Sequence, residues 1–422
     1  MAAPAGAKVY LDITAPTLRR IPLAVPPLRA GAGQVHTAHV EIAEVLRADL
    51  GFAGLFEVLD PRSYLEDPQT APVRSDAASL ADWRLVVGAE ALVKGRVARQ
   101  GDELSVDLWL YDVAQGQPVL GRHYTAAPQA TAAVAHLFAN AVLEELTGTP
   151  GPFGTRIAYV VDKGQIKELA AADMDGRRAE PLTRNRSLSL NPAWSRDGRY
   201  LYFTSYLLGE PDLYLLDLST RKQWIVSREP GIDLAGRDSP DGTEVLAVLS
   251  VDGNPEIYRI DKKSRRRVRL THSPAIDVAP TWSPDGKHIA FVSDRRGNPH
   301  LFVMDRDGGG VRRITFSGAH NGDPEWSPTG TLIAFSGQDE RGGFQVYTVA
   351  PSGGKIVQRT FGTWDTWDPS WSPDGRFLAV TSNRGGSDAV YVLRLGSQEF
   401  RRVTPPGQRA SQPAWSPLFL RP

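Results

Sequence analysis

The chain contains few residues whose types and spacing are typical of a reaction centre. It has no cysteine, which excludes thiolate nucleophiles, thiolate metal ligands and disulfides. The stretch GGSDA at 385–389 is the nearest approach to the G-x-S-x-G elbow of serine hydrolases, and it does not match that motif. His36 and His39 lack zinc-protease spacing and are interpreted as a solvated helix start. We therefore predict no catalytic residue, no metal site and no cofactor.

One set of polar residues recurs at regular spacing. Its members stand five residues before a repeated Trp-Ser-Pro-Asp-Gly phrase or its equivalent, at Ser189, Asp233, Asp277, Asn321 and Thr366. Asp323 and Asp368 stand three residues before the phrase in two copies. Such oxygen-bearing side chains can cap loops, form a rim that docks a partner protein, or bind a cation weakly. The residues alone leave these three interpretations open.

The phrase itself recurs once in each of a series of sequence repeats. Its copies begin at Trp194, Asp238, Trp282, Trp326, Trp371 and Trp415, at intervals of 44, 44, 44, 45 and 44 residues. An aromatic residue follows the first five copies, at Tyr214, Tyr258, Phe302, Tyr347 and Tyr391. A hydroxyl residue closes each unit, at Thr183, Ser227, Thr271, Thr315, Thr360 and Thr404. Three markers in one register indicate a repeat architecture.

Each unit is predicted to form four short antiparallel strands, the size of one propeller blade. Ser-Pro-Asp-Gly favours a tight turn between the first two strands, and the Trp is expected to pack between neighbouring blades. The first unit begins at Thr155 without a first strand, whereas 412–417 forms a first strand with nothing after it. Pairing these ends closes a ring and removes the free edges. We predict a mainly β fold with a six-bladed β-propeller at 155–417, built of four-stranded blades and closed by the C-terminal strand.

Two copies deviate from the repeat. Asp238 replaces the Trp, and Ala170 replaces the aromatic residue in the first unit. We interpret both as local repacking, with a channel carboxylate as the alternative for Asp238.

Residues 8–150 lack the repeat and are predicted to form a small α/β domain before the propeller. HTAHVEIAEVLRADLG is predicted to be a helix that ends at Gly51. Its apolar face would contain Ile42, Val45, Leu46 and Leu50. TAAVAHLFANAVLEELTG is a second predicted helix, ending at Gly148, and the stretch between the helices is predicted to form strands in hairpins.

Composition bears on the class of partner. Lys and Arg number 48, as do Asp and Glu, so no overall field favours nucleic acid. No stretch is long and apolar enough for a transmembrane segment. The start MAAPAGAKVYLDITAP lacks the features of a signal peptide, so none is expected in this chain. We expect a monomer.

An α/β domain, six WSPDG-type blades and a terminal PAWSP together resemble the TolB family, the periplasmic component of the Tol-Pal system of Gram-negative bacteria. The resemblance covers essentially the whole chain, and its most specific segments are KVYLDITAPTLRRIPLAVPPL, LTGTPGPFGTRIAYVV and PAWSP. It implies a non-enzymatic periplasmic adaptor, peripheral to the outer membrane, that supports outer-membrane integrity and envelope constriction during cell division. The chain departs from the family pattern at Asp238.

The resemblance also implies two partner sites. The propeller face would bind the peptidoglycan-associated lipoprotein Pal through a rim of Ile232, Asp233, Asp277, Val278, His320, Asn321 and Thr366. The inner-membrane protein TolA would bind a segment of Lys8, Val9, Tyr10, Leu11, Asp12 and Ile13. Two other functions stay open on the sequence: a hydrolase or lyase with its site in the propeller channel, and a propeller that binds peptides or glycans without a Tol role.

Overall fold

The computed structural model describes residues 19–31, 37–64, 72 and 77–417. The chain divides into two compact units, with the boundary between Gly154 and Thr155.

The N-terminal unit combines a mixed sheet with helices. Its strands are β1 (Ile21–Ala24), β2 (Arg29–Ala30), β3 (Phe56–Val58), β4 (Ala91–Gln100), β5 (Glu103–Asp112) and β6 (Gln117–Ala126). Its helices are α1 (Ala38–Ala53), a 3-10 turn (Pro61–Ser63), α2 (Ala77–Asp82), a π-helical turn (Trp83–Val87) and α3 (Thr131–Thr147). The sheet order is β3-β1-β4-β5-β6, with β2 also paired to β4. Strand β1 runs parallel to both neighbours, whereas β4, β5 and β6 form an antiparallel meander.

Helix α1 buries the apolar face that its spacing predicts: Ile42, Val45, Leu46 and Leu50 are all within the core. Its predicted end is wrong, because the helix continues through Gly51 to Ala53 and Gly54 takes the left-handed φ of 77°. Phe52 and Ala53 are buried, so the extra turn adds apolar burial that a stop at Gly51 would lose. Helix α3 ends before Gly148, as predicted.

The C-terminal unit consists of six four-stranded antiparallel sheets, numbered here as blades I to VI by their first strands. Blade VI begins with β7 (Arg156–Asp162), β8 (Lys167–Asp173) and β9 (Glu180–Pro181). Blade I is β10 (Ser189–Trp194), β11 (Tyr200–Ser205), β12 (Asp212–Asp217) and β13 (Gln223–Ser227). Blade II is β14 (Asp233–Asp238), β15 (Glu244–Leu249), β16 (Glu256–Asp261) and β17 (Arg267–Arg269).

The remaining blades repeat this order. Blade III is β18 (Asp277–Trp282), β19 (His288–Ser293), β20 (His300–Asp305) and β21 (Arg312–Arg313). Blade IV is β22 (Asn321–Trp326), β23 (Ile333–Gln338), β24 (Phe344–Val349) and β25 (Val357–Gln358). Blade V is β26 (Thr366–Trp371), β27 (Phe377–Ser382), β28 (Ala389–Arg394) and β29 (Phe400–Arg402), and β30 (Ala410–Trp415) is the first strand of blade VI.

Strand β30 closes the ring by pairing antiparallel with β7, which places Trp415 opposite Ile157. The Trp415 indole is buried, and its Nε1 donates to Thr155 Oγ1 at 2.7 Å. The predicted fold class is therefore confirmed: a mainly β chain with a six-bladed propeller, closed by its C-terminal strand, after a small α/β domain.

The propeller core lies between blades. One apolar cluster joins Leu246 and Ile257 of blade II to Trp282 and Phe291 of blade III, and similar clusters occupy other seams. Three tryptophans also donate Nε1 to a carbonyl of the preceding blade: Trp194 to Ala414 (2.9 Å), Trp282 to Arg237 (3.1 Å) and Trp371 to Glu325 (3.0 Å). The prediction that the repeated Trp packs between blades is confirmed for these three.

Candidate functional site

Two kinds of loop lie on one surface of the propeller, because strands alternate in direction within each blade. We call this surface the loop face. Its outer-to-inner loops are residues 182–188, 228–232, 270–276, 314–320, 359–365 and 403–409. Its loops between second and third strands are residues 163–166, 206–211, 250–255, 294–299, 339–343 and 383–388. The opposite surface, with the Ser-Pro-Asp-Gly turns, is the turn face.

The recurring polar residues begin the inner strands and are buried beneath the loop face. Asp233, Asp277 and Thr366 are fully buried, and Asn321 is 3% exposed. Asp233 accepts a hydrogen bond from the Glu229 backbone N–H at 2.8 Å. Asn321 Nδ2 donates to the Ser317 carbonyl at 2.8 Å. Burial raises the pKa of both the Asp233 and the Asp277 carboxyl groups. Their hydrogen bonds fix the loops that enter the inner strands.

The same loops also expose large apolar side chains, and the sequence patterns did not single them out. Phe316 is 73% exposed, Phe361 51% and Ile276 48%. Both phenylalanines directly follow the hydroxyl residue that closes a repeat unit, where the loops that enter blades I and II have Arg184 and Arg228. An aromatic ring at a position that is Arg, His or Pro in the other units was the available sequence signal.

Each inner strand bends at its third residue, next to the central channel. Pairing with the second strand shifts register between the second and fifth residues in all six blades. The third residue has a left-handed φ at Asn191 (53°), Ala279 (51°), Asp323 (49°), Asp368 (49°) and Gln412 (53°). This conformation costs a non-glycine residue about 1 kcal/mol. The bulges therefore store strain around the axis.

Hydrogen bonds between neighbouring inner strands offset this strain. The Asn191 backbone N–H donates to Gln412 Oε1 at 2.9 Å, and the Gln412 N–H donates to Asp368 Oδ2 at 3.2 Å. The Asp368 N–H in turn donates to Ser336 Oγ at 3.0 Å. The third-residue side chains of Gln412 and Asp368 thus satisfy the backbone of the next inner strand around the ring, whereas Ser336 lies in the second strand of blade IV.

Three carboxyl groups of the channel have raised pKa values. Burial raises the pKa of Glu325 to about 7, although Arg237 and the hydrogen bonds from Trp371 and Ser370 oppose the rise. Asp323 is solvent-accessible, but the six inner strands enclose it, and this desolvation raises its pKa. Burial and the neighbouring Asp323 charge raise the pKa of Asp368. Enclosure of like charges therefore favours protonated carboxyls in the channel.

The turn face opens into a funnel of about 650 Å³, lined by repeated Trp, Ser and Pro side chains together with Arg237 and Glu325. The serines brace the turns: Ser283 Oγ donates to Asp285 Oδ1 at 2.6 Å and accepts from the His288 N–H at 2.9 Å. The same arrangement recurs at Ser372, so these hydroxyls are occupied structurally.

Asp238 replaces a tryptophan by a polar network at the seam between blades I and II. Its carboxylate pairs with Lys262 Nζ at 3.0 Å and accepts from the Arg196 backbone N–H at 3.0 Å. The Tyr202 hydroxyl is a third partner. Gly236 makes room for this tyrosine, since a Cβ there would lie 2.6 Å from its ring. The structure therefore supports local repacking as the interpretation of Asp238.

No group of three or more His, Asp or Glu side chains in the described part of the chain has the geometry of a metal site. GGSDA lies in the loop between the second and third strands of blade V. His39 lies in the first turn of α1, and His36 lies outside the described residues. Within the described ranges, no helix is long and apolar enough to cross a membrane.

Comparison with known proteins covers both units. A family model described as the TolB amino-terminal domain matches residues 9–119, and one described as the TolB beta propeller domain matches residues 143–365 and 320–418. The chain belongs to the TolB family. This confirms the resemblance that the repeat and the terminal segments indicate.

Relatives and a crystal structure agree with the TolB assignment. The Tol-Pal system protein TolB of Desulfosudis oleivorans is 37% identical over 229 residues, which are 54% of this chain and 52% of that protein. That of Syntrophotalea carbinolica is 41% identical over 179 residues, 42% of this chain and 40% of that protein. The chain thus spans about half the length, or less, of these curated relatives. The crystal structure of TolB from Acinetobacter baumannii matches with a TM-score of 0.81 and 27% identity, covering 95% of this chain and 97% of that one.

The structure brings together one of the two partner sites that the TolB resemblance implies. The seven residues carried over for Pal lie within one residue of the starts of the inner strands of blades II to V. Ile232, Val278 and His320 are half-buried, and the His320 ring meets the Phe344 ring edge-on at 5.6 Å. The TolA segment, Lys8 to Ile13, lies outside the described residues.

Proposed function

We propose that this protein is a non-enzymatic adaptor of the Tol-Pal system in the periplasm. In this proposal the loop face binds the lipoprotein Pal, and residues 8–13 bind TolA. Binding to Pal holds the adaptor at the outer membrane, and the adaptor supports outer-membrane integrity and envelope constriction during cell division. Relatives named Tol-Pal system protein TolB support the assignment to that system.

The observation that carries the Pal site is a concentration of exposed apolar side chains on the loop face. They are Leu207 (46% exposed), Leu208 (49%), Val251 (41%), Ile276 (48%), Phe316 (73%) and Phe361 (51%). Exposed apolar groups collected on one surface are typical of protein interfaces, and large apolar anchors supply most of the binding energy there.

The seven residues carried over for Pal support this surface in two ways. Four are buried and hydrogen-bond beneath the loops: Asp233, Asp277, Asn321 and Thr366. Three are half-buried beside them: Ile232, Val278 and His320. Loops fixed in this way lose little conformational entropy on binding, which favours affinity.

The test is calorimetric titration of purified Pal into the wild-type protein and two variants. Ile276→Lys places a charge among the apolar groups of the loop face, and we expect it to weaken binding about tenfold or more. Val311→Lys is the matched control, since Val311 is 39% exposed and precedes β21 on the other side of blade III. Wild-type protein that does not bind Pal, or equal affinity of the two variants, would contradict the proposal.

A further inference from the structure

Blade IV contains an open cleft on the loop face at a place that blades III and V fill with their own side chains. The cleft has a volume of about 880 Å³. Asn321, Phe335, Asp339, Glu340 and Tyr347 are among the residues that line it. Its mouth lies beside the exposed Phe316, which directly precedes the lining residue Ser317.

Blade III shows what occupies this place elsewhere. Phe291 and Phe302 stack with centroids 5.8 Å apart, and the guanidinium carbon of Arg295 lies 5.4 and 5.2 Å from these centroids. Arg295 Nη2 also donates to Asp277 Oδ2 at 2.7 Å. A buried acceptor and an aromatic pair therefore hold one arginine.

Blade V also places an arginine over aromatic rings, although Val380 stands where blade III has Phe291. The guanidinium carbon of Arg384 lies 4.0 Å from the Phe400 centroid, 5.0 Å from Trp364 and 5.8 Å from Tyr391. A cation over aromatic faces is favourable, and a planar guanidinium can stack while its N–H groups still donate. The two blades on either side of blade IV thus each place an arginine, from the loop after the second strand, against their own aromatic side chains.

Blade IV has the aromatic pair without the arginine. Phe335 and Tyr347 stack with centroids 5.7 Å apart and an interplanar angle of 25°, close to the pair in blade III. In blade IV the residue directly after the second strand is Asp339. In blades III and V the arginine is the second residue after that strand. Within the described ranges, no Arg or Lys side chain lies over this pair.

The acceptor is also present. Asn321 stands at the position of Asp277, and its Oδ1 accepts no hydrogen bond from the residues that the structure describes. Arg341 lies in the wall of the cleft, but its Nη2 is held away from the ring pair, because it donates to Asp339 Oδ2 at 2.6 Å and to the Gly362 carbonyl. Glu340 is exposed and adds negative charge to the wall of the cleft.

We propose that this cleft binds an arginine side chain of the protein that docks on the loop face, with the guanidinium over Phe335 and Tyr347 and an N–H donated to Asn321 Oδ1. The proposal rests on the proposed function for its biological partner. The partner then supplies in trans the group that blades III and V supply in cis.

The first test uses N-acetyl-arginine amide as the probe. The full chain is labelled with fluorotyrosine, and the Tyr347 resonance is assigned with Tyr347→Phe. We expect a saturable shift of this resonance with the arginine probe and a much smaller one with N-acetyl-lysine amide. Asp339→Arg supplies a guanidinium beside the cleft and should remove the shift, and Glu340→Lys should reduce it. Asp307→Arg makes the same charge change on an exposed residue of the β20–β21 connection and should keep it.

The second test is Pal affinity, with Asp339→Arg expected to weaken binding about tenfold and Asp307→Arg expected to leave it unchanged. Failure of the wild-type protein to bind Pal would contradict the proposed function, while the probe titration still decides the cleft. The arginine site would be overturned if the Tyr347 resonance does not shift with the arginine probe, or if Asp339→Arg leaves Pal affinity unchanged. Either result would leave the adaptor proposal standing.

Discussion

The channel carboxyls are the residues with the most unusual surroundings. Asp323 and Asp368 combine a left-handed backbone with enclosure beside another acid, and both features oppose folding. Asp tolerates this backbone region better than most residues. Asp368 also accepts hydrogen bonds from Thr381 Oγ1 at 3.0 Å and from the Gln412 N–H at 3.2 Å, which partly compensates its burial.

Glu325 makes stability depend on pH. Its pKa is raised to about 7, so the folded protein binds this proton more tightly than the unfolded chain. The contribution of protonated Glu325 to the free energy of unfolding is fully present below the pKa of about 4 that this group has in the unfolded chain. It is lost as pH rises through about 7. We expect Glu325→Gln to be more stable than the wild type at pH 9 by about 2 kcal/mol, and by much less at pH 4.

Denaturant unfolding at the two pH values measures this difference. Gln can still accept the hydrogen bond from the Trp371 N–H, so the fold should persist. Glu399→Gln, an exposed position on the same unit, is the control and should change neither value. An equal change at both pH values would show that the carboxyl charge is not responsible.

The sequence predicts where the inner strands end but not where they begin or how they bend. Asp233, Asp277 and Asn321 stand at a fixed spacing before the repeated phrase, and the structure shows that each is the first residue of an inner strand. The left-handed third residue is hidden, since it is Asn, Ala, Asp or Gln in different blades and only the bulge is shared. Burial of the polar rim residues is hidden too, because it depends on loop packing that single positions do not encode.

At the scale of elements, the seam between blades I and II shows how one strand adapts to its neighbour. The first strand of blade II contains Gly236, where the other first strands have proline, and Tyr202 of blade I occupies the space. The tyrosine position is alanine in blades III to VI, for example Ala290 and Ala334. Two changes on facing strands therefore compensate each other.

Gly236→Ala should expose this dependence. Its Cβ would lie 2.6 Å from the Tyr202 ring, so we expect a loss of about 1 to 3 kcal/mol in unfolding free energy. Adding Tyr202→Ala should cost less in this background than in the wild type, because the clash is relieved. Gly309→Ala is the control, since its nearest neighbour is a flexible Asp307 side-chain atom at 3.3 Å. Additive losses in a double-mutant cycle of denaturant midpoints would contradict the compensation.

Counting elements also predicts the ring, because a missing first strand at one end and a lone first strand at the other admit one closed solution. The end of α1 is predicted less well. Gly51 is a common helix stop, yet the apolar Phe52 and Ala53 extend the helix into the core, so tertiary burial overrides the local preference. The predicted helix end is wrong because a second glycine, Gly54, lies close by and terminates the helix in the left-handed conformation instead.

At the scale of the whole molecule, the proposed adaptor needs two separable binding segments. Val9, Leu11 and Ile13 alternate with polar residues, a pattern that favours a strand with one apolar face. Such a strand can add to the sheet of a partner. If Pal and TolA each bind one state of this segment more tightly, their affinities are coupled reciprocally.

Deletion of residues 1–13 tests this separation. We expect TolA binding to be lost and Pal binding to stay intact or to change only modestly. Pull-down and calorimetry with each partner measure the two affinities, and a melting curve shows whether the N-terminal unit stays folded. Retained TolA binding would place that site elsewhere in the chain.

Because the closing strand is the last propeller strand to be synthesised, its partner strand stays unpaired during most of synthesis. Strand β7 is made before the other propeller strands, yet its partner β30 leaves the ribosome only after the five complete blades between them. Until then the nascent chain presents an unpaired sheet edge, which can pair with other chains. A chain that stops before Ala410 has this edge permanently open. Synthesis through β30 is therefore a condition for a propeller without an open edge.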